Sequence, residues 1–151
     1  MPRPPRLQIA GATYHVTSRG NRRQAIYHDD YDRRYFLALR DRVIGRYTWR
    51  LRAYCLMTNH FHLLIETPQP TLSEGMQRLQ CNYAAYFNER HSLDGHVFQQ
   101  RFGSRLVKTE EHFLEALRYI AFNPVRAGLC EHPSDWRWSS FYAAADFVFD
   151  R

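Results

Sequence analysis

At 151 residues, 44% of them hydrophobic and 15% aromatic, the chain is long enough for one ordinary domain with a real core. It has no apolar run near the ~18 residues of a membrane span, and its Met-Pro-Arg-Pro-Pro-Arg start lacks the apolar stretch of a secretory signal, so a soluble cytoplasmic protein is expected. Its net charge is +6, and the excess is concentrated at the front: residues 1–50 hold eleven Arg against four Asp, while the remainder sums to −1, which points to a polyanionic partner.

Residues 1–8 read as an extended basic arm carrying Arg3 and Arg6. The β-branched and aromatic content of Ala12 to Ser18 predicts a strand, and Arg19-Gly20-Asn21-Arg22-Arg23 a turn. After Asp29 and Asp30, apolar side chains at Tyr35, Phe36, Leu39, Val43 and Ile44 recur at helical spacing, with Gly45 as the expected stop. Thr48 to Thr67 changes to a strand pattern broken at Thr58-Asn59. Thr71 or Ser73 is placed to cap a helix to about His91 whose stripe is Met76, Leu79, Tyr83, Tyr86 and Phe87. Ser104 to Thr109 alternates like a strand. Thr109 then caps a helix from Glu110 to Phe122, ended by Asn123-Pro124 because the residue before proline avoids the α region. Strand, helix, strand, strand, helix, strand, helix is a split βαβ order, so an α+β fold of ferredoxin-like type is expected for residues 1–151 as a single domain. Three widely spaced cysteines (Cys55, Cys81, Cys130) support neither a disulfide framework nor a zinc knuckle and are expected to be core thiols.

In His60-Phe61-His62-Leu63-Leu64-Ile65-Glu66 the strand period sends Phe61, Leu63 and Ile65 to one face and His60, His62, Leu64 and Glu66 to the other. Two imidazoles at i and i+2 can bind one metal ion, or can simply be hydrogen-bonded or exposed; the motif alone leaves both open. A histidine-triad hydrolase would need His where Leu64 stands. On a wheel at 100° per residue, Phe113, Leu114, Leu117, Ile120 and Ala121 form the core stripe of the last helix and Tyr119 falls nearly opposite. Asn123 lies one turn beyond Tyr119, so a phenol and an amide carbonyl share a side; this is a nucleophile beside a metal ligand, or a surface tyrosine beside a helix-stopping asparagine.

The stretches Tyr14 to Arg23 (Tyr-His-Val-Thr-Ser-Arg-Gly-Asn-Arg-Arg), Tyr54 to Glu66 and Arg118 to Leu129, together with Trp136 to Tyr142, closely resemble the REP-associated tyrosine transposases, a group of single-tyrosine HUH endonucleases. That resemblance implies that His60 and His62 are the HUH metal pair, Asn123 the third ligand and Tyr119 the catalytic nucleophile. It also implies Mg²⁺ or Mn²⁺ as cofactor, single-stranded hairpin DNA as partner, a 5′-phosphotyrosyl intermediate and a place at the nucleoid. Whether the protein is a monomer or a dimer stays open. Arg19, Gly20, Asn21, Arg22 and Arg23, the arm residues Arg3 and Arg6, and Arg101, Arg105 and Lys108 are the candidate DNA contacts. Relatives usually read Phe-Gln-Gly-Arg-Phe-Lys where this chain has Phe98-Gln99-Gln100-Arg101-Phe102-Gly103, a departure that bears on DNA contacts and not on the chemistry. The competing reading is a domesticated, non-catalytic binder of DNA or RNA hairpins on the same fold. An RNA-binding ferredoxin-like domain would instead need paired aromatics outward on adjacent strands, and Phe61 is expected inward.

Overall fold

The computed structural model describes residues 8–143, in which the elements follow as β1 (Ala12–Arg19), α1 (Asp30–Tyr47), β2 (Arg50–Leu56), β3 (His60–Thr67), α2 (Leu72–His91), β4 (Gly103–Val107) and α3 (Glu110–Arg126). The strands form one sheet in the order β2-β3-β1-β4 with every neighbouring pair antiparallel, the ferredoxin-like α+β arrangement expected from the element order.

Register decides which side chains meet. Pairing of His15 with Leu64, Thr17 with His62 and Arg19 with His60, and of Arg105 with His15, puts His15, Arg19, His60, His62 and Arg105 on one face, because alternate residues of paired strands share a face. The opposite face carries Tyr14, Val16, Phe61, Leu63 and Ile65, buried beneath α1 and α2 against Phe36, Leu39, Met76, Leu79 and Tyr83. α3 covers the histidine face only in part: Ala116 and Ile120 close over Ala53, Cys55 and Leu64 in a second, smaller core. The open edge of β2 is protected by the segment after α3, where Leu56 N–H donates to Trp138 C=O, Ser140 N–H to Tyr54 C=O and the Trp136 indole to Leu56 C=O.

α1 and α2 are tied together by one buried carboxylate. Asp32 is fully buried and accepts from Tyr86 Oη (2.6 Å), the His28 backbone N–H (2.9 Å), Arg90 (2.7 Å) and His91 Nε2 (2.8 Å), while Asp29 caps α1 on the Asp32 N–H and pairs with Arg90. Burial pushes the Asp32 carboxyl up, but these donors outweigh it and the net shift is downward. The stabilisation from Asp32 is therefore present above the ordinary carboxylate range, about pH 4, and is lost as pH falls through its lowered value. Asp32→Ala would take the acceptor from His91 and the Tyr86 hydroxyl and leave Arg90 with Asp29 alone, and is expected to cost about 3–5 kcal/mol in urea unfolding.

Several boundaries differ from the sequence reading, each for a packing reason. α1 does not stop at Gly45 but runs to Tyr47, because Trp49 is held in the core by an indole bond to Thr71 Oγ1 (2.9 Å) and sets where the chain leaves the helix, with Thr48 left-handed at φ 58°. Thr71 therefore spends its hydroxyl on Trp49, and neither it nor Ser73 caps α2 by side chain; the Ser73 N–H is met by Gln8 Oε1 at 2.9 Å. The fourth strand is Gly103–Val107, one residue earlier at its start and two shorter at its end. α3 passes through Pro124 to Arg126, since a proline near the helix end forfeits a single backbone bond and its ring is buried here. Leu114 is 51% exposed and Ala116 takes its place in the core stripe, which turns the helix so that Tyr119 borders the sheet and does not oppose it. Of the cysteines, Cys55 is a core thiol, but Cys81 is exposed and Cys130 half-buried, because Cys81 lies on the solvent side of α2.

Candidate active site

The histidine face of the sheet, α3 and the segment 99–105 enclose an open cleft of about 790 Å³, lined by His15, Arg19, His60, His62, Arg101, Arg105 and Tyr119 among others. His62 is buried (4% exposed) and its Nε2 is a buried nitrogen with no hydrogen-bond partner among the described residues, while its Nδ1 is 3.0 Å from His15 Nε2. His60 is half-buried, with Nδ1 2.7 Å from Asn59 Oδ1, and the Asn123 side chain also hydrogen-bonds its imidazole. The two rings lie 5.1 Å apart at 80°.

Tyr119 stands half-exposed at the rim, its ring edge-on to His62 (centroids 5.6 Å apart) and to His15 (5.9 Å). Arg126, one helical turn past Asn123, lies over that ring with its guanidinium carbon 4.3 Å from the centroid, and it donates to the Tyr119 carbonyl at 2.6 Å. A positive charge is thereby fixed against the phenol ring at the cleft rim. Sequence reasoning missed Arg126 because it ended the helix before Pro124, and missed His15 because only the β1–β3 register shows that it shares a face with His62.

Burial, followed by the charge of Arg105 and then His112, pushes His15 down to about 4. Burial and Arg19 lower His60, against an opposing pull from its bond with Asn123. For His62, burial is the largest cause of a pKa well below the usual imidazole value, and His15, His60, Arg126 and Arg19 add to it. Three imidazoles are thus neutral at neutral pH, the form in which a ring nitrogen has a lone pair to offer a metal ion. The partnerless buried Nε2 of His62 and the neutral donor set fit a divalent cation.

Of the candidate DNA contacts, Arg19, Arg101 and Arg105 line the cleft. Gly20, Asn21, Arg22 and Arg23 form a tight turn beside it. That turn is pinned on two sides, by Gly20 N–H to Asn59 C=O and Asn21 N–H to Val97 C=O, both 2.8 Å. Gly20 has no room for a side chain, since a Cβ would meet Gln24 C=O at 2.1 Å. Arg22 and Arg23 both take left-handed φ (56° and 59°), a costly conformation for arginine that leaves both side chains exposed. Lys108 is exposed after β4 and does not line the cleft; Arg3 and Arg6 lie outside the described residues.

A second group able to hold a metal ion, His28, Asp32 and His91, has its ligand atoms within 4.8 Å of one another. It lies between α1 and α2 across the sheet from Tyr119, and its carboxylate is already taken by the donors named above. Among the described residues no helix is long and apolar enough to cross a membrane.

The model of the family described as IS200-like transposases matches residues 8–123. A Haemophilus influenzae protein provisionally named REP-associated tyrosine transposase is 27% identical over 107 residues, 64% of this chain and 61% of the relative, so the match spans less than two thirds of that protein. Among solved structures, a REP-associated tyrosine transposase bound to a REP hairpin superposes with a TM-score of 0.78 at 22% identity, covering 95% of this chain and 84% of the other. A Deinococcus radiodurans protein, provisionally named a transposase, gives a TM-score of 0.53 at 18% identity over 78% of this chain and 95% of its own. At these identities the two structures speak for the fold.

Proposed function

This chain belongs to the IS200-like transposase family, and from that membership we propose that it nicks and rejoins single-stranded DNA next to a hairpin, with Tyr119 as the nucleophile. The observation that carries the reading is the half-exposed phenol held edge-on to His62, whose buried Nε2 has no protein partner, in a cleft with arginines along its walls.

In the proposed reaction the Tyr119 oxygen attacks a backbone phosphorus and the bond from that phosphorus to the 3′ oxygen breaks. The phenol proton is lost, the 3′ oxygen leaves as a hydroxyl, and the 5′ phosphate stays on Tyr119. A phosphodiester is exchanged for a phosphotyrosyl ester of similar energy, so attack by a second 3′-hydroxyl rejoins the strand. His60, His62 and Asn123 would hold Mg²⁺ or Mn²⁺, which when bound polarises the non-bridging phosphate oxygens. Imidazole ligands favour Mn²⁺ over the oxygen-loving Mg²⁺. Arg126 fixes the Tyr119 ring from outside, so the nucleophile does not have to be ordered when substrate arrives. Arg19, Arg101 and Arg105 track the strand through the cleft, and the pinned turn with Arg22 and Arg23 meets the hairpin. The hairpin seen with the REP-associated neighbour supports this choice of DNA.

The test is incubation with a single-stranded hairpin oligonucleotide and Mn²⁺, followed by mass spectrometry of tryptic peptides. A nucleotide on Tyr119 is expected; hairpin binding without any adduct under Mg²⁺, Mn²⁺ or other divalent ions would favour the non-catalytic binder.

A further inference from the structure

We infer that His15 is a positioning residue for the ion site: by accepting a hydrogen bond from His62 Nδ1–H it holds that imidazole in the tautomer whose Nε2 lone pair is left for a metal.

The argument is one of proton placement. A neutral imidazole carries one proton on one of its two nitrogens, and a nitrogen that ligates a metal must be the bare one. His62 Nε2 is the buried atom without a partner, whereas Nδ1 lies 3.0 Å from His15 Nε2. If the proton were on Nε2, a buried N–H would have nothing to bond to and Nδ1 would need His15 as donor; with the proton on Nδ1, the same contact satisfies it and bares Nε2. Neutral His15 then accepts at Nε2 and keeps its own proton on Nδ1.

His60 repeats the device with a different acceptor. Its Nδ1 faces Asn59 Oδ1 at 2.7 Å, and the Asn59 amide is oriented by donating its Nδ2 to Arg23 C=O at 3.2 Å, so the oxygen is the atom presented to the ring. Both histidines of the pair are thus anchored at Nδ1 by neighbouring side chains, His15 and Asn59. Outer partners of this kind set the tautomer and ring orientation of metal-binding histidines. The inference also accounts for a polar side chain that the proposed chemistry otherwise leaves idle: His15 is largely buried on the site face of β1, directly opposite Leu64 on β3 and diagonal to His62.

The inference rests on the ion site proposed above, and the experiment separates the two. Long-range ¹H–¹⁵N spectra of the metal-free protein report which His62 nitrogen carries the proton; the Nδ1–H form is expected in the wild type and a mixture or reversal in His15→Phe. Mn²⁺ titrated by calorimetry or electron paramagnetic resonance should bind roughly 10–100-fold more weakly to His15→Phe. His15→Gln, which restores a carbonyl acceptor at that position, should recover most of the affinity; thermal melting identifies a variant that has lost its fold, in which case His15→Gln and the wild-type spectrum decide. A His62 protonated at Nε2 in the wild type, or wild-type Mn²⁺ affinity in His15→Phe, would overturn the inference. A wild type that takes up no Mn²⁺ yet shows a His15-dependent Nδ1–H form would sink the ion site and support the tautomer assignment.

Discussion

Tyr119→Phe is expected to bind a hairpin oligonucleotide like the wild type and to form no covalent adduct on a denaturing gel, with strand cleavage down by at least about four orders of magnitude, as for loss of a nucleophile that works as part of a unit. The substitution isolates the oxygen. The ring remains, so the edge contacts with His15 and His62 and the stacking of Arg126 are available to phenylalanine. Half-exposed Tyr119 contributes little to the core, and stability should move by less than about 1 kcal/mol. An adduct that survives would assign the nucleophile to another residue.

Loss of the histidine pair should be almost as severe and should read out in stability as well as in rate. A ligand that binds only the folded state raises unfolding free energy by RT ln(1 + [L]/Kd), about 2.7 kcal/mol at a hundredfold excess over Kd. Mn²⁺ should therefore raise the melting temperature of the wild-type protein, and EDTA should return it to the metal-free value. In His60→Ala and His62→Ala that shift should vanish and nicking should fall at least about 100-fold, since loss of mere outer-shell partners already costs 10–100-fold. Normal nicking by His60→Ala in Mg²⁺ or Mn²⁺ would end the metal proposal. His62→Ala removes a buried Nε2 without a hydrogen-bond partner among the described residues, so its cost without metal should be that of the cavity and of the lost His15 bond, with no ion pair broken as in Asp32→Ala.

The two halves of the site differ in how far periodicity could reach. His60 and His62 were assigned to one face from the strand period alone, and the β3 register places them so. Tyr119 could not be placed the same way, because the hydrophobic wheel weights Leu114 as core when in fact the platform under α3 is small, built on Ala53, Cys55, Met57 and Leu64 with Val107 at its side. A platform so small takes the alanine at 116 and leaves Leu114 outside. The 100° wheel carried no information about which stripe would win, and with Leu114 in the stripe it put Tyr119 nearly opposite the core, whereas with Ala116 there Tyr119 falls on the flank. Asn123 was legible as a neighbour of Tyr119 one turn on, but its bond to His60 depends on α3 lying across β3.

By itself the sequence determined the element order, the ferredoxin-like class, the inward Phe61, Leu63 and Ile65, and the shared face of His60 and His62, because strand and helix periods and turn residues act over a few neighbours along the chain. Family motifs spread over Tyr14 to Leu129 pointed to Tyr119 where local chemistry left it ambiguous. Only the tertiary structure decided that β1 lies between β3 and β4, bringing His15 against His62 and Arg105 against His15, and that α3 runs on through Pro124 to set Arg126 over the phenol. Those contacts join residues 7 to 90 positions apart. Strand pairing across the sheet and the packing of one helix on a narrow apolar platform fix them, and neither follows from any local window of the chain.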